Sequence, residues 1–302
     1  MIVAAWRFPR FARFPLRPSP PMGGKRTGHT RCQAKPPAAG GRGRCRLPTV
    51  NGLPTPTDLA ARLARAGCVA AGEEAEELLA ADLDPDELER LVARREQGEP
   101  LAWLTGSISF CGLPVAVPPG CYVPRAQTEA LARRAARRLP PGGRAADLCT
   151  GVGPVAALLA AAVPSATVVG TDLDGAALDG ARRNGVRAVR TDLGDGLAPG
   201  AFDVVTAVAP YVPTGDLAFL PSDVQRYEPR TALDGGPDGC EVLRRVVLAA
   251  ARLLRAGGTL LVELGGGEDV CLVPDLAAAG FATSRTWRDR EGDLRGLAAR
   301  LG

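Results

Sequence analysis

The segment from Asp147 to Ala156, DLCTGVGPVA, decides the fold of this chain. It places Gly151-x-Gly153-x-x-Ala156 between an apolar run and a stretch of helix-forming residues, and Asp172 follows Gly151 by 21 residues. Glycines at this spacing let a backbone turn approach a ligand closely, and a carboxylate at this distance can bind ribose hydroxyls. The segment therefore predicts the first strand, turn and helix of an α/β sheet that binds an adenosine-containing cofactor.

Strands and helices alternate on the C-terminal side of this turn. Apolar runs predict the strands, and the periodic segments between them predict the connecting helices. The predicted strands cover residues 144–148, 167–171, 188–191, 202–208 and 259–264, and the predicted helices cover residues 154–162, 175–184 and 240–255. Such alternation is typical of a parallel, doubly wound sheet, in which ligands bind at the carboxyl ends of the strands.

The whole chain divides into four segments. Residues 1–54 form a basic leader rich in Pro and Gly, which we expect to be disordered. Residues 55–98 predict a small helical domain, residues 99–128 predict a β-hairpin connector, and residues 129–302 hold the sheet. The leader fits an upstream extension of the reading frame best, while a mitochondrial transit peptide and a nucleic-acid-binding tail stay open.

Charge is distributed unevenly along the chain. Eleven of the 37 Lys and Arg residues lie in residues 1–49, which contain no Asp or Glu. Residues 50–302 contain the other 26 basic residues and all 33 acidic ones, so this part of the chain has a net charge of −7. This acidic balance argues against direct contact of the folded part with nucleic acid. No apolar run reaches the roughly 18–20 residues that a membrane helix needs, and we expect a cytoplasmic protein.

The cysteines do not form a metal-binding pattern. Eight cysteines and one histidine, His29, are scattered along the chain without a Cys-x-x-Cys pair. Zinc sites need closely spaced Cys and His ligands, so we expect no metal. A reducing cytoplasm keeps thiols reduced, and we therefore predict that the cysteines are free.

Three carboxylates follow three successive predicted strands: Asp147, Asp172 and Asp192. Asp147 lies four residues before the first glycine of the loop, where it can face a cationic ligand and would be a poor neighbour for a pyrophosphate. This placement favours S-adenosylmethionine over a nicotinamide dinucleotide. The alternative is that all three are ordinary turn residues at strand ends.

A further apolar strand ends in an unusual tetrad. The stretch VVTAVAPYVP runs from Val204 to Pro213 and contains Val208-Ala209-Pro210-Tyr211. Proline cannot donate a hydrogen bond to a sheet, so the strand must stop before Pro210. The tyrosine is thereby delivered to the edge of the sheet where ligands bind.

The ordered motifs of residues 55–302 resemble the protein-(glutamine-N5) methyltransferases of the HemK/PrmC type, which modify release factors or a ribosomal protein. The segments that carry the resemblance are RREQGEPLAWLTGSISFCGLPVAV, YVPRAQTEAL, DLCTGVG, VVGTDLD, TDLGD, APYVP and RYEPRTALDGGPDG. The resemblance implies a class I S-adenosylmethionine-dependent methyltransferase: a doubly wound seven-stranded sheet preceded by a small N-terminal helical domain that recognises the protein substrate.

The resemblance also implies roles for individual residues. The implied cofactor-binding residues are Asp147, Thr150, Gly151, Gly153, Asp172, Leu173, Asp192 and Leu193. The implied catalytic residues are Val208, Ala209, Pro210 and Tyr211, and the implied substrate-binding residues are Phe110, Arg125, Glu228 and Arg230. Phe110 also suits core packing, and Arg125 equally suits a structural ion pair.

The acceptor tetrad departs from the family pattern at one position. The family has Asn-Pro-Pro-Tyr, whose Asn side chain and following carbonyl accept the two N–H bonds of the substrate amide, whereas this chain has Val208. Losing one positioned polar group typically costs about 10²–10³ in rate. The carbonyl of Ala209 can still accept one bond, so we expect a weakened enzyme. A smaller departure is Ala126-Gln127 in place of Pro-Glu.

Other classes of function stay open. A catalytically inactive S-adenosylmethionine-binding interaction protein would tolerate Val208 fully. A nicotinamide oxidoreductase is disfavoured by Asp147 and by the lack of a histidine after residue 49. A methyltransferase of DNA bases is disfavoured by the acidic folded part. The expected partner is a protein substrate, without membrane contact.

Overall fold

The computed structural model describes residues 49–50, 53–81 and 83–302. Most of the predicted leader, with His29, Cys32 and Cys45, lies outside the described residues. The first described elements are two short antiparallel strands, β1 (Thr49–Val50) and β2 (Leu53–Pro54).

Three helices follow, as the sequence predicts for this segment: α1 (Pro56–Arg65), α2 (Ala71–Ala80) and α3 (Pro85–Glu96). The Asp84 side chain accepts the backbone N–H of Glu87 at 2.8 Å and so caps α3. Apolar side chains spaced three or four residues apart bury a common core, which contains Leu59, Leu63, Ala75, Leu78, Leu88 and Val92.

The connector contains a helix that the sequence did not reveal, α4 (Leu101–Thr105), before the hairpin of β3 (Ser107–Phe110) and β4 (Leu113–Ala116). Asn184 ties this hairpin to the sheet domain. Its side chain accepts the Ala116 N–H at 2.8 Å and donates to the carbonyls of Ala116 and Val152. The hairpin is therefore fixed beside the glycine loop.

The remaining elements form the sheet and its covering helices. They are α5 (Glu129–Ala136), β5 (Arg144–Leu148), α6 (Pro154–Ala162), β6 (Thr167–Asp172), α7 (Gly175–Arg183), β7 (Ala188–Arg190), β8 (Phe202–Ala207), α8 (Ser222–Tyr227), α9 (Glu241–Leu253), β9 (Leu254–Glu263), α10 (Glu268–Ala278), β10 (Phe281–Arg288) and β11 (Leu294–Leu301). The seven-stranded sheet has the order β10-β11-β9-β8-β5-β6-β7. Apolar clusters cover both faces of the sheet, which confirms the doubly wound class.

The sheet is less uniformly parallel than its sequence pattern indicates. Strands β5 to β9 pair in parallel, but β11 is antiparallel to both β9 and β10. The apolar periodicity of the sequence also did not predict β10, β11, α8 or α10. Helix α10 contains Pro274, which normally interrupts a helix, and β10 exposes most of its side chains.

The prediction that the cysteines are free is wrong for one pair. Cys240 and Cys271 form a disulfide that joins the start of α9 to α10. Their separation of 31 residues gave no sequence signal, because the pairing depends on how the two helices pack. Four other cysteines in the described part are free, namely Cys68, Cys111, Cys121 and Cys149.

Candidate functional site

A cavity of about 380 Å³ lies at the carboxyl ends of β5, β6 and β8. This is where a doubly wound sheet binds its ligands. The cavity brings together eleven of the residues predicted from the sequence: Asp147, Thr150, Gly151, Asp172, Leu173, Asp192, Leu193, Val208, Ala209, Pro210 and Tyr211.

The glycine loop lines one wall of the cavity. Gly151 has φ +56°, and nothing lies within 4 Å of the point where a side chain would begin, so the loop leaves room for a ligand. Gly153, in contrast, is closely packed, because a Cβ there would lie 2.8 Å from Cγ2 of Val186. Gly153 does not line the cavity and allows α6 to pack closely instead.

Asp147 is almost completely buried at the base of the cavity. Its two carboxylate oxygens accept hydrogen bonds of 2.6 Å from the hydroxyls of Thr150 and Thr206. Burial raises the pKa of Asp147 to about 6, although these donors oppose the shift. Thr150, which the resemblance assigns to cofactor binding, therefore uses its hydroxyl to hold Asp147.

The other two strand-end carboxylates are more open. Asp172 accepts the backbone N–H groups of Gly151 at 2.8 Å and Asp174 at 2.9 Å, and burial raises its pKa. Asp192 accepts a 2.6 Å hydrogen bond from the guanidinium of Arg245 on α9. Both carboxylates line the cavity, and backbone N–H groups hold Asp172 in place while Arg245 holds Asp192.

The acceptor tetrad follows the end of β8. Val208 and Pro210 are half-buried, and Ala209 is buried. Val208 presents an apolar side chain to the cavity at the position where the family has an amide. Within the tetrad, Tyr211 therefore has the only side chain with a polar group.

A buried carboxylate lies behind Tyr211. Glu263, the last residue of β9, is 1% exposed, and its Oε1 accepts hydrogen bonds from Gln127 at 3.1 Å and Tyr211 at 3.4 Å. Its Oε2 accepts a 2.6 Å bond from the hydroxyl of Thr128. Gln127 also donates to the Tyr211 hydroxyl at 3.1 Å.

The predicted substrate-binding residues lie outside the cavity lining. Phe110 needs a correction, because its side chain is 1% exposed and packs in the core beneath the hairpin. Arg125 and Glu228 form a buried ion pair of 2.5 Å with each other. Arg230 is exposed and pairs with Asp234 at 3.2 Å, although its neighbours Pro229 and Thr231 do line the cavity.

Comparison with known proteins identifies the family. No protein-family model matches the chain. A release factor glutamine methyltransferase of Geobacter sulfurreducens is 39% identical over 229 residues, which are 73% of this chain and 81% of the relative. Another, of Moorella thermoacetica, is 43% identical over 198 residues, or 62% of this chain and 69% of the relative. The chain belongs to the release factor glutamine methyltransferase family.

A solved structure is also similar to this member of the release factor glutamine methyltransferase family. It is the Mtq2-Trm112 complex of E. cuniculi, responsible for methylation of the eRF1 translation termination factor. The TM-score is 0.45 at 25% identity, with 60% of this chain and 98% of that chain covered. Family membership, established by the sequence relatives, confirms the predicted class I fold and S-adenosylmethionine as the cofactor.

The cavity of this release factor glutamine methyltransferase family member fits S-adenosylmethionine. Gly151 leaves open space, and the nearby side chains are the carboxylates of Asp147, Asp172 and Asp192. Carboxylates suit the positively charged sulfur and amino group of this cofactor, and they accept hydrogen bonds from ribose hydroxyls and an adenine amino group. A pyrophosphate would be repelled by the same charges.

Sequence reasoning missed two residues of the site. Arg245 reaches Asp192 from a helix 53 residues away, and its neighbours in the sequence give no signal for that contact. Glu263 does have a signal, because it is a lone carboxylate in the apolar strand TLLVEL. A buried carboxylate needs donors, and its position at a strand end indicates that those donors belong to the site.

The described ranges contain no helix that is long and apolar enough to cross a membrane. Within the same ranges, no group of three or more His, Cys, Asp and Glu side chains is arranged to hold a metal ion.

Proposed function

We propose that this protein transfers a methyl group from S-adenosylmethionine to the side-chain amide of a glutamine in a peptide chain release factor. The observation that carries the proposal is that the acceptor tetrad and the three strand-end carboxylates line one cavity. The relatives named release factor glutamine methyltransferases support this substrate. Their names also favour an enzyme over an inactive binding protein.

In the cofactor half of the cavity, different residues would bind different parts of S-adenosylmethionine. S-adenosylmethionine supplies an electrophilic methyl group on a positively charged sulfur. Asp147, when ionised, provides a negative charge for the cationic methionine part, and Gly151 leaves it space. Asp172 would accept hydrogen bonds from the ribose hydroxyls, and Asp192 with Leu193 would hold the adenine edge; all three residues line the cavity.

The acceptor half holds the glutamine amide. The carbonyl of Ala209 accepts one amide N–H, and the ring of Tyr211 packs on the amide plane. Val208 offers no acceptor for the second N–H, so a buried amide hydrogen costs roughly 1–3 kcal/mol. The proposed enzyme is therefore slow for its class, because its nucleophile is held by one polar contact and packing.

The protein partner is the release factor, and a ribosomal protein is the alternative acceptor. The net charge of −7 over residues 50–302 argues against direct contact of the folded part with nucleic acid. Translation factors are found in the cytoplasm, and an enzyme that modifies them must meet them there. We therefore propose a cytoplasmic location for this protein.

Methyl transfer from labelled S-adenosylmethionine to purified release factor tests the proposal. The natural protein and Val208→Asn are compared, with Asp172→Ala as a control that loses cofactor binding. We expect slow transfer by the natural protein and transfer faster by about 10²–10³ with Val208→Asn. A ribosomal-protein substrate would appear as a labelled band in a whole-cell lysate. No transfer by either protein, with cofactor binding intact, would reject the proposed reaction and leave a binding protein.

A further inference from the structure

Three segments meet at the carboxylate of Glu263 behind the acceptor tetrad. Strand β9, which ends at Glu263, pairs with β8, which leads into the tetrad. Gln127 and Thr128 come from the short 3-10 helix Ala126–Thr128, which follows the β3–β4 hairpin at the end of the connector. The carboxylate accepts one hydrogen bond from each of these two residues and one from Tyr211.

Stability alone does not explain why a carboxyl group is buried at position 263. Removing a carboxylate from water is costly, and an apolar residue of similar size often serves a buried position better. Two of its three donors, Thr128 and Tyr211, line the cavity, whereas Glu263 lies behind them. A buried carboxylate whose donors face the ligand indicates a role in ordering those donors.

The ring of Tyr211 is held along one side, at Cδ2 and Cε2, and at its tip. Gly265 packs against the ring so closely that a Cβ there would lie 2.5 Å from Cε2 of Tyr211. The hydroxyl at the tip donates to Glu263 and accepts from Gln127. Glu263 and Gln127 therefore hold the tip together, at 3.4 Å and 3.1 Å from the hydroxyl oxygen.

We propose that Glu263 is a positioning residue for methyl transfer, which fixes the Tyr211 ring at the acceptor end of the cavity, with Gln127 as a second support. The proposal rests on the proposed function above. Glu263 touches neither the acceptor nor the cofactor, and it acts through the tyrosine. Because Val208 removes one polar contact with the acceptor amide, the packing of this ring determines more of the acceptor geometry.

A double-mutant cycle tests this role. Glu263→Gln keeps the shape and replaces the carboxyl group with an amide, Tyr211→Phe removes the hydroxyl, and the double variant combines them. Asp203→Asn is the matched control, since Asp203 is a half-buried carboxylate paired with Arg255 at the start of β8, outside the cavity lining. Each change is made in the natural protein and in Val208→Asn, with purified release factor and S-adenosylmethionine as substrates.

We expect Glu263→Gln to lower kcat by about 10- to 100-fold, because small misplacements of a reacting group are this costly. The KM for S-adenosylmethionine should stay within about twofold, since Glu263 lies at the acceptor end. Adding Glu263→Gln to Tyr211→Phe should have little further effect. Multiplicative losses in the double variant, or a raised KM for the cofactor with unchanged kcat, would overturn the proposal.

A spectroscopic measurement separates this proposal from the proposed function. The chain has three tyrosines, so ¹³C-labelled tyrosine gives a simple NMR spectrum, in which Tyr211→Phe identifies the Tyr211 signal. Glu263→Gln should shift that signal and leave the signal of Tyr227 unchanged. An unchanged Tyr211 signal would refute the anchor even if methyl transfer is measured. A shifted signal without methyl transfer by any protein would support the anchor and reject the proposed reaction.

Discussion

Arg245 and Asp192 form a 2.6 Å ion pair at the rim of the cavity, although they come from different elements of the sheet domain. Both side chains are partly exposed, and both line the cavity. The pair fixes one oxygen of Asp192 and leaves the other for a ligand. A helix that belongs to the opposite half of the sheet thus reaches the proposed adenine end of the site.

We expect Arg245→Ala to weaken S-adenosylmethionine binding by about two- to fivefold, which is the range that a partly exposed ion pair supplies. Isothermal titration calorimetry measures the change directly. Arg244→Ala is the matched control, because Arg244 is the adjacent residue, pairs with Asp238 and does not line the cavity. Equal weakening by both variants would show that the loss comes from α9 as a whole.

The raised pKa of Asp147 predicts that cofactor binding depends on pH. Burial raises this pKa to about 6 from the 3.8 of a free carboxyl, so in the folded protein without a ligand the neutral form predominates below about pH 6. A cationic ligand favours the ionised form. Affinity for S-adenosylmethionine should therefore fall as the pH drops below about 6, by up to about tenfold per unit. An affinity that is constant from pH 5 to 8 would contradict this role.

The raised pKa of Asp147 also makes the stability of the ligand-free protein depend on pH, and here acidification is favourable. A carboxyl whose pKa is raised on folding costs stability above its folded pKa, and that cost disappears as the pH falls from about 6 towards the unfolded value of 3.8. Asp147→Asn should thus stabilise the ligand-free protein at neutral pH by about 1–3 kcal/mol while weakening cofactor binding. Chemical denaturation at pH 7.5 and pH 5 checks both the gain and its loss on acidification.

The sequence predicted the cofactor half of the site better than its surroundings. Asp147, Asp172 and Asp192 are found together because strand ends can be read from apolar runs, and parallel strands bring their ends to one edge. The Cys240–Cys271 disulfide and the contact of Arg245 depend on how α9 packs, which no local pattern encodes. Phe110 was misassigned because a family motif does not tell an inward side chain from one that faces substrate.

Arg125 and Glu228 should be a structural pair. Their 2.5 Å contact is buried, with 15% and 2% of the side chains exposed. Glu228→Ala leaves a buried guanidinium without its carboxylate and should cost about 3–5 kcal/mol in the free energy of unfolding. Replacing both, as Arg125→Met with Glu228→Leu, should cost less than Glu228→Ala alone. Arg230→Ala is the exposed control, with an expected change within about 0.5 kcal/mol.

A double variant that is as unstable as Glu228→Ala would contradict this interpretation. Thermal unfolding of the four proteins supplies the comparison. A loss of methyl transfer with unchanged stability would instead assign Arg125 to substrate binding.

Gly265 offers a test of how closely the acceptor ring is packed. A Cβ at this position would lie 2.5 Å from Cε2 of Tyr211, which is too close for any real side chain, so Gly265→Ala must move the ring. We expect kcat for methyl transfer to fall by about 10²-fold, with cofactor affinity unchanged, since displacement of about 1 Å has this effect. Gly266→Ala is the matched control, because its nearest contact would be 3.9 Å away, at the Glu268 carboxylate. If both variants keep full activity, the ring of Tyr211 does not set the acceptor geometry, and the packing role of the tetrad must be abandoned.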